Sequence, residues 1–315
     1  MSKRTPAAPA APMILQQAVI LILRQGAPGN LRKVRGAEVV ETGDALTAPV
    51  TVDADKAMVH VSKYLFESDA YQAVLRYDGQ TRNWLARRAL PSYFREGFYL
   101  LPLALLEEVD ADLQARQRQR QTLIEAFLAT YEAKVEDAKI RLRGLFNPAD
   151  YPDRAKIASA FRFETSYLTL EVPQTLAGVS PALFQRERDK AEAMWTQAAE
   201  EIQRALRQGF AGLVTHMIDR LTPGPDGKAK MFKDSLVTNL EEFLTYFKAR
   251  NLTNDEDLAA LVDRARQVMK GVDPTALKRN PDVRDSVRDG FSRLQGFMSE
   301  MVLLKPTRAI SFDDD

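Results

Sequence analysis

The chain contains no cysteine and two histidines, His60 and His216, in 315 residues. The first absence excludes disulfides, thiol nucleophiles and thiolate metal sites, and it suits a reducing, cytoplasmic setting. The second leaves a serine–histidine triad or a histidine-rich metal centre little to draw on. An excess of one charge is also missing: 44 basic against 43 acidic residues give a formal net charge of +1. That balance argues against a chain built as a whole to coat nucleic acid or anionic membrane, though a local basic patch stays compatible with it. No apolar run approaches the roughly 20 residues of a spanning helix. Lys3 and Arg4 precede the apolar stretch 18–23, but Gln16 and Gln17 interrupt it, and the run is too short for a signal-peptide core.

The familiar catalytic phrases are missing as well. G-x-G-x-x-G, H-E-x-x-H and G-x-S-x-G do not occur. The stretch TPGPDGKAK (222–230) fails as a phosphate loop: Gly224 and Gly227 stand too close, and Ala229 follows Lys228 where a hydroxyl is needed. Asp53–Asp55 and Asp110–Asp112 are D-x-D pairs, but residues two apart on a helix point in different directions, so neither chelates alone. His216 has Asp219 near enough to hold a protonated imidazole, and His60 has no ligand set around it. No catalytic, metal or cofactor residue is assigned, and the chain reads as non-enzymatic.

What is present is long, charged, amphipathic helix, in a chain 45% hydrophobic and 28% charged. Residues 1–12, rich in Ala and Pro, read as a tail. The run AVILIL from Ala18 reads as a buried strand, followed by a turn at 25–30 and a second extended piece at 37–40. Asp53 fits an N-cap for a helix to about Phe66, and a second helix is expected over 70–89. The proline-bracketed 91–102 reads as an irregular connector. A long helix over 102–143 carries Leu106, Val109 and Leu113, then Ile124, Phe127, Tyr131, Val135 and Leu142, on one face. Between the two sets, QARQRQRQ (114–121) has no large apolar residue and reads as a solvated neck. Gly144 fits a C′ position. A strand with a bulge is expected over 161–172, pairing with the first.

Ser180–Pro181 is a strong helix start, and no proline follows until Pro223. Ala191, Ala198 and Ala205 on that helix leave room for a partner helix, from a second copy or from the same chain. Further helices are expected over 234–250, from a Thr253–Glu256 capping box to Gly271, from Asp273–Pro274, and from Asn280–Pro281 to about Leu304. The expected fold is mainly α: an elongated helical bundle with long coiled-coil-like helices, two of them forming an antiparallel stalk, and a small β element. It divides into a tail (1–12), an N-terminal α+β region (13–175), a C-terminal helical region (176–305) and an acidic tail (306–315).

Two basic sets are candidate binding residues. Arg82, Trp84, Arg87, Arg88 and Arg95, interleaved with Tyr93 and Phe94, have the composition of a single-strand nucleic-acid surface: guanidiniums for phosphates, rings for bases. The same composition also fits a solvated helix face over core aromatics. Arg116, Arg118 and Arg120 alternate along the neck, where Arg116 and Arg120 share a face and Arg118 points away. They suit an acidic protein partner as well as phosphate. If the neck is exposed, exchanging all three for Glu leaves thermal stability nearly unchanged.

The order of elements and several phrases, ADKAMVHVSKYLFES, FREGFYLLP, VDADL, LFNPADYP and FRFETSYLTLEVP, resemble a family of bacterial and phage proteins without an assigned activity, over roughly 14–300. Such proteins are often encoded beside a MoxR-type AAA+ ATPase and a von Willebrand A-type protein. The resemblance transfers no site residue. It implies a soluble helical accessory of an AAA+ ATPase, of bacterial or phage origin. A scaffold or interaction protein is the first functional expectation, and a single-strand nucleic-acid binder the alternative. A magnesium enzyme built on scattered carboxylates ranks below both.

Overall fold

The computed structural model describes residues 16–33, 62–91, 97–169, 172–231 and 233–298. Expectations for Asp53, His60, the piece at 37–40, Tyr93, Phe94, Arg95 and both tails lie outside these residues. The fold is mainly α with a minor β element. In chain order the described elements are β1 (Ala18–Gly26), β2 (Leu31–Lys33), β3 (Ser62–Tyr64), α1 (Asp69–Arg88), β4 (Phe98–Pro102), α2 (Leu106–Leu142), α3 (Arg154–Ser159), β5 (Arg162–Leu168), α4 (Thr175–Val179), α5 (Pro181–Leu221), α6 (Asp234–Arg250), α7 (Glu256–Met269), α8 (Pro274–Arg279) and α9 (Pro281–Met298).

Two compact units share the chain. The first takes Met1–Leu23, Arg82–Asp110 and Thr165–Asp315, and the second takes Arg24–Thr81 and Ala111–Glu164, in their described parts. They interleave along the chain, whereas the sequence reading places two regions in series about residue 175.

In the first unit, β1 lies between β4 and β5, and Ala18 to Leu23 are buried without alternation, as a central strand covered on both faces requires. The expected pairing of 18–24 with 161–172 is present. The expected connector at 91–102 is instead strand in its second half: Phe98–Pro102 pairs antiparallel with β1, Ala18 opposite Pro102 and Ile22 opposite Phe98. Pro102 stands at the strand's end, where its missing donor costs least. Gly97, at φ +87°, opens β4, and a Cβ there would meet the Leu23 carbonyl oxygen at 3.0 Å.

The helical part is built on α5. Ser180 Oγ accepts from the Leu183 N–H and Pro181 fills the first turn, as expected. The 41 residues span about 60 Å at 1.5 Å each. Trp195, Ile202, Leu206, Phe210, Leu213, Met217 and Leu221 are buried, at steps of three, four and seven. α6 and α9 pack on this helix, and α7 packs on both of them. Ala205 is buried and Ala191 and Ala198 pack against the same core, so the small-residue stripe is covered by the chain's own helices. Asp273 and Asn280 cap α8 and α9 as expected, and Gly271 takes φ +76° beyond α7.

In the second unit, α1 and α2 enclose an aromatic core of Phe66, Tyr71, Phe127 and Tyr131 with Val74, Ile124 and Ile157. Phe66 meets Tyr71 edge-on at 5.3 Å between centroids, and Tyr131 and Tyr151 donate their hydroxyls to the Pro152 and Leu65 carbonyls. The helix expected to reach Phe66 does not extend over Ser62–Tyr64, which pairs antiparallel with Leu31–Lys33. The left-handed residue after α2 is Arg143, φ 45°, rather than Gly144.

α7 and α9 approach closely at Gly290, where a Cβ would stand 2.8 Å from Val268 Cγ1. Gly290→Ala is expected to destabilise by about 1–3 kcal/mol despite alanine's better helix propensity. Val268→Ala in the same chain should recover part of the loss in a urea titration. A neutral Gly290→Ala would show that the two helices separate freely.

Candidate functional site

In the first unit, the basic-aromatic set sits on the last turns of α1. Thr81, Trp84, Leu85 and Arg88 fall at helical spacing and all are buried, so the stripe that carries the core also carries the guanidinium of Arg88. That guanidinium lies between two rings, 4.5 Å from the Trp84 centroid and 4.4 Å from that of Tyr246 on α6. Nη2 donates to Tyr246 Oη at 2.8 Å and Nη1 to the Trp84 carbonyl at 3.3 Å. The Tyr246 hydroxyl donates in turn to Glu108 Oε1 at 2.9 Å, on the first turn of α2. Burial, then the bond to Glu108, raises the Tyr246 pKa, against the opposing charge of Arg88.

Glu242, one turn before Tyr246, faces both arginines: its oxygens lie 2.5 Å from Arg87 Nε and 3.8 Å from Arg88 Nη1. Arg87 Nε and Glu242 Oε2 are sealed from solvent and have no hydrogen bond, so their contact is Coulombic, without the alignment of a bidentate pair. Arg87 and Arg88 against Glu108 and Glu242 make two charges of each sign. Trp84 and Arg88 do not belong to an open cationic-aromatic surface, being 5% and 7% exposed, and Trp84 instead fits the core-aromatic alternative. The physical cause is phase, since α1 turns these side chains inward, where carboxylates offset them. Arg82 is half-buried and engaged in its own contacts.

In the second unit, the neck also corrects the sequence reading. Arg120 is 2% exposed, because it continues the stripe Leu113, Arg116, Arg120, Ile124, Phe127 on α2. Its Nε and Nη2 bind Asp78 Oδ1 and Oδ2 on α1 at 2.6 and 2.9 Å, and Nη2 also donates to the Gly26 carbonyl at 2.8 Å. Gln25 Nε2 adds a bond to Asp78 Oδ1 at 3.2 Å, and the rings of Phe161 and Phe163 lie 5.8 and 5.9 Å from the guanidinium. Arg116 is half-buried and Arg118 exposed, so the shared face of Arg116 and Arg120 is as expected, but it points inward. Asp78 escaped the sequence reading, although Tyr71, Val74, Asp78 and Thr81 mark the buried stripe of α1.

The remaining polar groups in the first unit are mostly internal ties. His216 Nε2 accepts from Arg220 Nε at 3.1 Å, while Asp219 binds Lys230 at 2.6 Å, so the His216–Asp219 hydrogen bond that the spacing allows is not formed. Asp110 accepts from the Tyr167 hydroxyl at 2.6 Å. The N-cap of α7 is Asp255, not Thr253: Asp255 Oδ1 accepts from the Leu258 N–H. Arg207 grips Asp255 through Nε and Nη2 at 2.6 and 2.8 Å. Burial pushes the Asp255 carboxyl up, but the bonds from Arg207 and the Leu258 N–H outweigh it and hold the group below its ordinary range.

The second unit holds a cavity of about 620 Å³ at the start of α1 and the last turn of α2, lined by Asn30, Lys63, Tyr64, Ser68, Gln72 and Arg141 among others. Its cations are engaged: Lys63 with Asp150 at 2.8 Å, Arg141 with Glu67 at 2.9 Å. Among the described residues no three metal-ligating side chains gather, and no helix is long and apolar enough to cross a membrane. No protein-family model, curated protein or solved structure matches this chain.

Removing one partner of the Asp78–Arg120 pair strands a buried charge. Arg120→Glu and Asp78→Ala are therefore each expected to destabilise by about 3–5 kcal/mol, while Arg118→Glu stays within about 0.5 kcal/mol. Arg120→Met with Asp78→Leu should recover most of the loss, because an apolar pair of similar size needs no counter-charge. Thermal melts of the single and double variants check this, and a tolerant Arg120→Glu would place the side chain in solvent.

Proposed function

We propose that this protein is a non-enzymatic helical interaction protein, a cytoplasmic accessory of an AAA+ ATPase, of bacterial or phage origin. The observation that carries the reading is the start of α5. Residues 181–194 include no fully buried side chain, only half-buried ones such as Leu183, Phe184 and Ala191, and Trp195 is the first buried residue of the helix. A helical stretch that its own unit covers only in part leaves a face on which another chain can dock. Arg186 and Lys190 stand out there, their side chains 65% and 64% exposed. The AAA+ identity of the partner rests on the family resemblance, and the absence of cysteine supports the cytoplasmic setting. The nucleic-acid reading loses its main support, because Trp84 is buried and Arg87 and Arg88 are spent on Tyr246, Glu108 and Glu242.

The test pairs the purified chain with a MoxR-type AAA+ ATPase, the kind of partner the family resemblance implies. The ATPase rate is expected to change on addition of the chain. Arg186→Glu, Arg188→Glu and Lys190→Glu together should abolish that change while leaving the melting temperature nearly where it was, since exposed charges contribute little to folding. A rate indifferent to the protein sinks the adaptor reading. In a parallel titration with a labelled single-stranded oligonucleotide, no saturable binding is expected; binding that weakens steeply with salt would bring the nucleic-acid reading forward.

A further inference from the structure

The corner between α6 and α7 holds two sealed polar atoms that bond to nothing. Arg250, the last residue of α6, is 5% exposed, and its Nε has neither solvent nor a hydrogen-bond partner. Among the described residues its guanidinium forms no ion pair, and its one ring contact is with Phe243, 5.7 Å away. Three residues on, Thr253 Oγ1 is sealed and unpartnered in the same way. Thr253 is free because Asp255 takes the cap.

The acids of this corner are committed elsewhere. Asp255 receives Arg207 Nε, Arg207 Nη2 and the Leu258 N–H, and Glu256 receives the Asn254 amide. The other deeply buried arginines all have oxygen partners: Arg120 on Asp78 and Gly26, Arg88 on Tyr246 and Trp84, Arg284 on the Arg220 and Lys230 carbonyls. Arg88 Nε and Arg284 Nε are sealed and unbonded as well, so what sets Arg250 apart is that, among the described residues, no oxygen partners any nitrogen of its guanidinium. Burial lowers its pKa to about 10, which still leaves it charged at neutral pH. A buried cation without an acceptor marks a place where an ion or water belongs, and a guanidinium's planar fork matches an oxyanion.

We propose that the α6–α7 corner binds a small oxyanion through the Arg250 guanidinium, with the Thr253 hydroxyl as a further donor. The anion would supply the missing charge and accept from the Arg250 Nη groups, and from Thr253 Oγ1 once the corner opens to admit it, since Arg250 Nε and Thr253 Oγ1 are both sealed from solvent. It belongs to the phosphate or carboxylate class, free or carried on a larger ligand. This site is independent of the α5 surface, so the two readings fail separately.

The test follows thermal unfolding of the full chain in inorganic phosphate, in acetate and in chloride, at matched pH and ionic strength. Wild type is expected to gain melting temperature in phosphate or acetate over chloride, along a saturating curve, as ligand binding to the folded state requires. A response to phosphate assigns a tetrahedral oxyanion, and a response to acetate alone a carboxylate. The gain should vanish in Arg250→Met, which keeps an apolar stem and removes the uncompensated charge, and should need more anion in Thr253→Val. If Arg250→Met does not fold, the Thr253→Val curve decides, and an unchanged midpoint overturns the proposal. So does a gain that Arg250→Met keeps, a non-saturating rise shared by all variants, or no anion-specific gain in wild type.

Discussion

A guanidinium set into a core position dictates its surroundings. Arg120 occupies such a position on α2, and an arginine cannot shed its charge under any ordinary condition. The neighbouring helix must therefore present a carboxylate, and it does so at Asp78. The end of β1 must present a bare carbonyl, and Gly26 does so where a Cβ would lie 3.3 Å from Arg162 Nε and 3.4 Å from the Ala160 carbonyl. The flanking rings of Phe161 and Phe163 keep water from competing. A helix, a strand end and the start of another strand in the second unit are thus set by one side chain, and a lysine, with a single point of charge, would not make the same set of bonds.

The same logic recurs with different partners. Arg88 is held by two ring faces and a tyrosine hydroxyl, its charge offset at longer range by Glu108 and Glu242. Arg284 spans two carbonyls, one at the C-terminal end of α5 and one in the loop after it, satisfying helix-end acceptors that would otherwise need water. Arg266 donates to the Leu244 carbonyl on α6. Arg88, Arg120 and Arg284 are structural fasteners, which is why a count of basic residues said little about where a cationic surface lies.

The helices were legible because each of their signals is local. Ser180–Pro181, Asp273–Pro274 and Asn280–Pro281 are caps readable within two residues, and the stripe on α5 repeats over many turns. β4 was missed because its reason for being extended lies eighty residues away, in the unpaired edge of β1. The arginines were misread for a related reason: Arg88 and Arg120 were judged by residue type, while their phase, continuous with Trp84 and Ile124, already placed them inside. Thr253 shows the limit of short motifs. T-N-D-E offers two possible caps, and only the packing of Asp255 on Arg207 selects between them.

The way the units divide the chain has a consequence for synthesis. The first unit draws on a strand near the N-terminus, a middle stretch and the last helices, so its core cannot close until α9 has left the ribosome. Until then Ala18, Ile20 and Ile22 of β1 lack the late helices whose core they join. The second unit has all its segments once α3 and the start of β5 have emerged. A nascent chain therefore carries a finished unit beside an exposed strand for the time needed to make about half of the protein. That interval is when chaperone capture or strand-to-strand misassociation is most expected.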